Sequence, residues 1–266
     1  MNPLSIQDVC RAVGGEMLCI PATAEPIIAA VCTDSRRIEA NSLFFALRGE
    51  KFNGHAFCAQ VAEKGAIAAV VDHRPHNAPE SLQLIQVGDT RRALGQLGQF
   101  VRQQFTGRVI AVAGSNGKTG TKHLIDAALH GPLRGTISPK SFNNDIGVPV
   151  TIFAAKADDD YLVLEIGTNH HGEIAPLSKI AAPDIAVITN CSEEHLEGLT
   201  DLDGVRRENA RIIDGLSPKG LLVVNGDEPE LLEAVSHWHG ARVTFGFAES
   251  NDIWAGDVRC GLDGTH

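Results

Sequence analysis

Val109-Ile-Ala-Val-Ala-Gly-Ser-Asn-Gly-Lys-Thr-Gly-Thr121 carries an apolar, β-prone run straight into a glycine-flanked Lys-Thr pair, and Thr121 to His130 beyond it is compatible with helix. Strand, glycine loop, helix is the order that a phosphate-binding loop requires. Gly114 and Gly117 allow backbone N–H groups to close around phosphate oxygens, with Ser115, Asn116 and Gly120 completing the turn. Lys118 has the reach for the outer phosphates, and the Thr119 hydroxyl suits Mg²⁺. The spacing departs from the common pattern: Val112 stands where its first glycine would be, and Gly114 takes that role two residues later. The segment predicts a site for a nucleoside triphosphate such as ATP.

Downstream of the loop, strand-like runs at 161–166, 185–189, 220–224 and 242–246 alternate with helix-like ones at 172–180, 203–214 and 229–237. This alternation predicts an α/β fold, a mostly parallel sheet flanked by helices, with ligands outside the carboxyl ends of the strands. Upstream, Ser5 is placed to cap a short helix through Ile6, Val9 and Cys10 that Gly14 and Gly15 end. Strand-like runs follow at 42–47, 67–71 and 82–87. A helix then opens at Thr90, with Leu94, Leu97, Val101 and Phe105 at three- and four-residue steps. We place the domain boundary before that helix: a small α/β domain over 1–87 and a nucleotide-binding domain over 88–266.

The net charge of −10 argues against nucleic acid as a partner, because phosphate neutralisation needs clustered Lys and Arg, and here they are scattered. The six cysteines lie far apart with no Cys-x-x-Cys pair, which suggests neither a zinc site nor a disulfide framework and points to reduced thiols in a cytoplasmic protein. The amino-terminal residues contain no basic stretch followed by an apolar run, and no uncharged apolar run reaches the length of about 18 residues that a membrane helix needs.

At the expected carboxyl ends of the strands, Glu165 closes the apolar run Tyr161-Leu-Val-Leu-Glu-Ile166, where an acid is costly unless a cation meets it. Mg²⁺ beside the phosphates would satisfy it, and so would a lysine or a helix N-terminus. His195, in Asn190-Cys-Ser-Glu-Glu-His-Leu-Glu-Gly198, is either a surface histidine or a metal or phosphate contact. In the first domain, Thr33-Asp-Ser-Arg36 and the segment 47–55 concentrate hydroxyls, guanidinium groups and glycines. They read equally as ordinary turns or as a second anion site.

Taken together, these segments resemble the Mur ligases, ATP-dependent amide-forming enzymes of peptidoglycan precursor synthesis. The resemblance runs through Thr33 to Arg36, Phe44 to His55, Gly114 to Thr119, Asn143-Asn-Asp-Ile-Gly-Val-Pro149, Glu165 to Glu173 and His195-Leu-Glu-Gly198, in that order. The glycine loop is shared with folylpolyglutamate synthases. The 143–149 and 169–174 segments favour the branch that adds D-alanyl-D-alanine to UDP-N-acetylmuramoyl-tripeptide. A different Mur-type amino acid ligase, or a non-catalytic module binding the UDP-precursor and ATP, is the alternative. The resemblance implies two steps, phosphorylation of a substrate carboxyl by ATP and displacement of phosphate by an amine. It implies Lys118 on the outer phosphates, Thr119 and Glu165 on Mg²⁺, His195 on a second Mg²⁺, and Asn144 beside the nucleotide and acyl group. Ser35, Arg36, Arg48 and His55 would bind the UDP-sugar.

Two departures qualify this. Family members usually carry a carbamoylated lysine on the helix after the His195 loop, and the matching residue here is Asn209, on one helix face with Val205 and Ile212. An amide there is expected to stay unmodified and near the second metal position. The family also has a further C-terminal domain that holds the incoming amine, which the sequence to His266 does not reach. The chain by itself is therefore expected to bind the UDP-precursor without completing the amide bond; it is also expected to be a monomer.

Overall fold

Residues 1–18, 26–49, 52–193, 196–258, 260–261 and 264–265 are described by the computed structural model. The chain divides into two compact units, Met1–Thr106 with Asp145–Asp159, and Gly107–Asn144 with Asp160–His266. The division by compactness thus falls after Thr106 rather than at residue 87, because the Thr90–Gln104 helix packs with the first unit.

In the first unit, Ser5 caps the Ile6–Val13 helix by accepting from Asp8 N at 3.0 Å, and Gly14 ends it in the left-handed conformation at φ 60°. A five-stranded sheet follows, with Ala66–Val71 at its centre between Ser42–Phe45 and Gln83–Gln86. Ala30–Cys32 pairs parallel with Ser42–Phe45, and the short Glu16–Met17 strand closes the other edge antiparallel to Gln83–Gln86. Phe44, Ala46, Ala69, Val71 and Leu84 face Cys58 and Val61 of the Cys58–Glu63 helix to form its core. The long helix opens at Thr90 as expected and is capped by Asp89, its carboxylate accepting from Arg91 N and Arg92 N.

The Gly147–Ala154 helix shows no amphipathic period, because Val148, Pro149, Thr151, Ile152 and Phe153 are all buried. Its packing leaves no room beside Gly98 of the long helix, where a Cβ would stand 3.0 Å from Pro149 Cβ.

The second unit is an entirely parallel seven-stranded sheet in the order Ile253–Trp254, Ala241–Gly246, Leu221–Asn225, Ile185–Ile188, Arg108–Ala113, Tyr161–Glu165, Gly135–Ile137. Strands and intervening helices match the expected alternation, with two additions, Gly135–Ile137 and Ile253–Trp254, at the edges. Both are too short to show a period. Arg108–Ala113 is flanked by Tyr161–Glu165 on one side and Ile185–Ile188 on the other, so the chain leaves this central strand in two directions. That is the switch point at which a parallel sheet opens a crevice at its carboxyl edge. Among the described residues no helix is long and apolar enough to cross a membrane.

Candidate active site

The phosphate loop leaves the central strand with two glycines in conformations that other residues rarely adopt, Gly114 at φ 123° and Gly117 at φ 81°. Gly114 is also forced by space, since a Cβ would lie 2.2 Å from Thr189 Oγ1. The segment after the neighbouring strand braces the loop. Asn190 O accepts from Ser115 N at 2.7 Å and Asn190 Oδ1 from Asn116 N at 3.1 Å, while Thr189 Oγ1 donates to Asn116 O at 2.7 Å. Ser192 N donates to Ser115 Oγ at 2.9 Å, and Asn116 Nδ2 to Ser192 Oγ at 2.7 Å.

The loop opens onto the Lys118–Leu129 helix, whose cap position is Gly117, with no side-chain cap and no acid in the first turn. The first-turn N–H groups of such a helix have no intrahelical acceptor and carry its positive end. The Lys118 ammonium lies at the loop, donating to Gly114 O and to Ser115 O at 2.8 Å. A helix N-terminus with no acid of its own in the first turn, and bordered by an ammonium, is suited to an anionic group.

Glu165, 1% exposed, ends its strand beside this turn. Its Oε2 accepts from Thr119 Oγ1 at 2.8 Å and forms an ion pair with Lys122 Nζ at 3.0 Å, and its Oε1 accepts from Asn143 Nδ2 at 3.2 Å. A lysine pairs with this acid, as one of its readings expected, and the acid also touches the threonine hydroxyl expected to bind a metal. Oxygen donors from a hydroxyl and a carboxylate fit Mg²⁺. Lys122, which also donates to Lys140 O, shares the same carboxylate oxygen, so a metal there would meet a partly neutralised acid.

Asn143 reaches Glu165, and Asn144 is exposed at the last residue of its stretch of the second unit. His195 lies outside the described residues, as do Glu50 and Lys51 of the first-unit loop.

Asn209 is buried, as its helix face predicted, but its amide is spent on the backbone: Oδ1 accepts from Gly114 N at 2.8 Å and Nδ2 donates to Val205 O at 3.0 Å. Next to it, buried Glu208 accepts from Gly172 N and Ile174 N, both at 2.8 Å, in the turn that follows Glu165. Glu228 closes the edge on the other side. It accepts from Cys191 N at 3.1 Å, and burial pushes its carboxyl above the ordinary range.

In the first unit, the residues expected to bind a second anion lie after the parallel strands. Arg48 is held bidentate by Asp72, with Nε to Oδ2 at 2.9 Å and Nη2 to Oδ1 at 3.0 Å. Asp72 also meets His73 Nδ1. His55, 2% exposed, stands behind this group with its ring stacked on His73 at a centroid distance of 4.4 Å. Burial holds the His55 pKa below its ordinary value. Its Nδ1 lies 2.8 Å from Asn53 Oδ1, and its Nε2 lies 3.1 Å from both Asp72 N and Asp72 Oδ1. His55 therefore packs behind Asp72, the residue that grips Arg48.

The three groups His55, Asp72 and His73 are close enough to share a metal, but the Arg48 guanidinium is the cation that already engages the carboxylate. Arg36 is exposed and paired with Asp34 at 2.8 Å, which holds the Asp34 carboxyl down at about 2. Ser35 is joined through its carbonyl to Lys64 Nζ at 2.8 Å. Sequence reading did not include Asp72 or Lys122. Lys122 carried a usable signal, since it lies four residues beyond Lys118 on the same helix face.

Comparison with known proteins places these features in a family. Residues 112–266 match the family model described as Mur ligase middle domain, and residues 27–102 match the one described as Mur ligase family, catalytic domain. A UDP-N-acetylmuramoyl-tripeptide--D-alanyl-D-alanine ligase of Bacillus subtilis is 39% identical over 98% of this chain and 56% of its own length. The crystal structure of MurF from Acinetobacter baumannii superposes with a TM-score of 0.87 at 33% identity, covering 100% of this chain and 60% of that one. MurF ligase from Thermotoga maritima, solved in complex with ADP, gives a TM-score of 0.80 at 27% identity over 89% of this chain and 54% of its own. The chain spans little more than half the length of the relatives it matches.

Proposed function

The chain belongs to the Mur ligase family, and from that premise we propose that it forms the ATP-binding and UDP-precursor-binding part of a ligase joining D-alanyl-D-alanine to UDP-N-acetylmuramoyl-tripeptide. The observation that carries the reading is the glycine-started, uncapped helix at the switch point, with Lys118 at the loop and Thr119 on Glu165. In this reading the N–H groups after Gly117 and the Lys118 ammonium bind the β- and γ-phosphates of ATP. Thr119 and Glu165 would hold Mg²⁺, which when bound supplies charge neutralisation for phosphoryl transfer to the substrate carboxyl. Lys122 and Asn143 hold the Glu165 carboxylate beside Thr119.

The incoming carboxylate is a poor electrophile, and its phosphorylation gives the acyl phosphate that an amine can displace. Positioning and electrostatics are the protein's part in that step. Asn144 would lie beside the acyl group, and His195 would serve a second cation. The UDP moiety falls to the carboxyl edge of the first unit, where Asp72 holds Arg48 in place and Ser35 and Arg36 border it.

For this 266-residue chain the reading predicts that Mg·ATP and UDP-N-acetylmuramoyl-tripeptide both bind. Arg48→Ala is expected to weaken the second about tenfold, the scale of one partly exposed charge-assisted contact, and to leave the first unchanged. Isothermal titration decides it: a precursor affinity indifferent to Arg48→Ala would remove the first unit's cluster from the reading.

A further inference from the structure

We propose that Asn209 is a positioning residue of the phosphate loop, holding its first peptide through the Gly114 N–H; the proposal rests on the reading of that loop as the triphosphate site. Gly114 and Asn209 are both buried, and the bond between them spans 2.8 Å. The orientation of the amide is unambiguous. Its two partners are a backbone N–H and the Val205 carbonyl, one only a donor and the other only an acceptor, so Oδ1 must face Gly114.

A buried N–H without an acceptor is costly, and this one has no freedom to turn elsewhere. The Gly114 conformation is fixed by its φ of 123° and by Thr189, which fills the place of a side chain. The acceptor must therefore be brought to it, and the Leu202–Ala210 helix brings it.

The consequence runs on to the lysine. Gly114 N is held by Asn209, and Gly114 O accepts from the Lys118 ammonium. One residue thus carries both the anchor to the helix and the rest for the cation, and a shift of its peptide moves the point from which Lys118 works. With Ser115 N and Asn116 N taken by Asn190, the first three N–H groups of the loop are all committed to the protein. Those from Gly117 onward are the ones aimed at a ligand. An ammonium at position 209 could not accept the Gly114 N–H, and an amide can. The same helix holds the turn beyond Glu165 through Glu208, so it serves as the fixed reference for both sides of the site.

Asn209→Leu, close in volume but without an acceptor, and Asn209→Asp, which keeps one, test the proposal; Asn209→Ala replaces the leucine variant if that one does not fold. Hydrogen exchange at the Gly114 amide, followed by NMR without nucleotide, is expected to speed up about tenfold or more in the leucine variant and to stay slow in the aspartate variant. Exchange at Val112, inside the strand, is expected to be unchanged, which a general loss of stability would not produce. Mg·ATP binding should weaken about ten- to hundredfold in the leucine variant. Unaltered Gly114 exchange in Asn209→Leu overturns the proposal, as does unaltered Mg·ATP affinity when the wild-type chain binds. A wild-type chain that binds no Mg·ATP would instead remove the nucleotide reading, and the exchange result would still decide whether Asn209 holds Gly114.

Discussion

Lys122→Met is expected to destabilise the second unit by about 3–5 kcal/mol, the scale measured when one member of a buried ion pair is removed and the other is left behind. The Lys122 side chain is 0% exposed and that of Glu165 2%, with Nζ 3.0 Å from Oε2. Methionine fills a similar volume, so the loss is of charge and not of packing. The carboxylate would keep the Thr119 hydroxyl and the Asn143 amide, neither of which carries the charge that offsets its desolvation. Lys122→Met/Glu165→Gln should recover most of the loss, because a neutral amide needs no counter-charge, and its oxygen can still accept from Asn143 Nδ2 while its nitrogen donates to the Thr119 hydroxyl. Urea denaturation of the three proteins checks this. A single mutant as stable as wild type would mean that the pair does not hold Glu165, and the metal-site argument would lose its neutralised acid.

Lys118→Ala is expected to weaken Mg·ATP binding by about 2–3 kcal/mol, or roughly 30- to 150-fold, while leaving UDP-precursor binding unaltered. The ammonium donates to Gly114 O and Ser115 O, so it stands at the loop whose helix end is uncapped. Removing it takes away the ammonium that these loop carbonyls hold beside the helix N-terminus. Because Asn190 and Asn209 brace the loop independently, the alanine variant should keep its fold. Competition with a fluorescent ATP analogue measures the effect, and an affinity equal to wild type would dissociate Lys118 from the phosphates.

The parts of this arrangement that were legible in the sequence are those whose physical constraint is local. Gly114, Gly117, Lys118 and Thr119 stand together because a strand must turn into a helix around an anion, and that pattern survives without knowledge of the rest. The parallel sheet was legible for the same reason, its buried strands and amphipathic helices alternating along the chain. The Gly147–Ala154 helix was not, since it is buried on all sides and shows no polar face, with Pro149 inside it. The domain boundary at residue 87 followed the start of a helix, whereas packing assigns that helix to the unit before it.

Long-range pairings were hidden as well. Nothing near Asn209 announces that its acceptor oxygen serves Gly114, 95 residues earlier. Lys122 lies on the face of Lys118, but the sequence does not show that Glu165, at the end of a strand, is its partner. Asp72 ends the Ala66–Val71 strand, and its grip on Arg48 depends on a neighbour in the sheet and not in the chain.

The most direct measurement of the central claim is a crystal structure of this chain with Mg²⁺ and a non-hydrolysable ATP analogue. The account predicts the β- and γ-phosphates against the backbone N–H groups from Gly117 onward, with Lys118 Nζ on phosphate oxygen and the Asn209 bond to Gly114 intact. A triphosphate bound away from this loop, or a loop whose lysine stays on the Gly114 and Ser115 carbonyls with no phosphate contact, would contradict it.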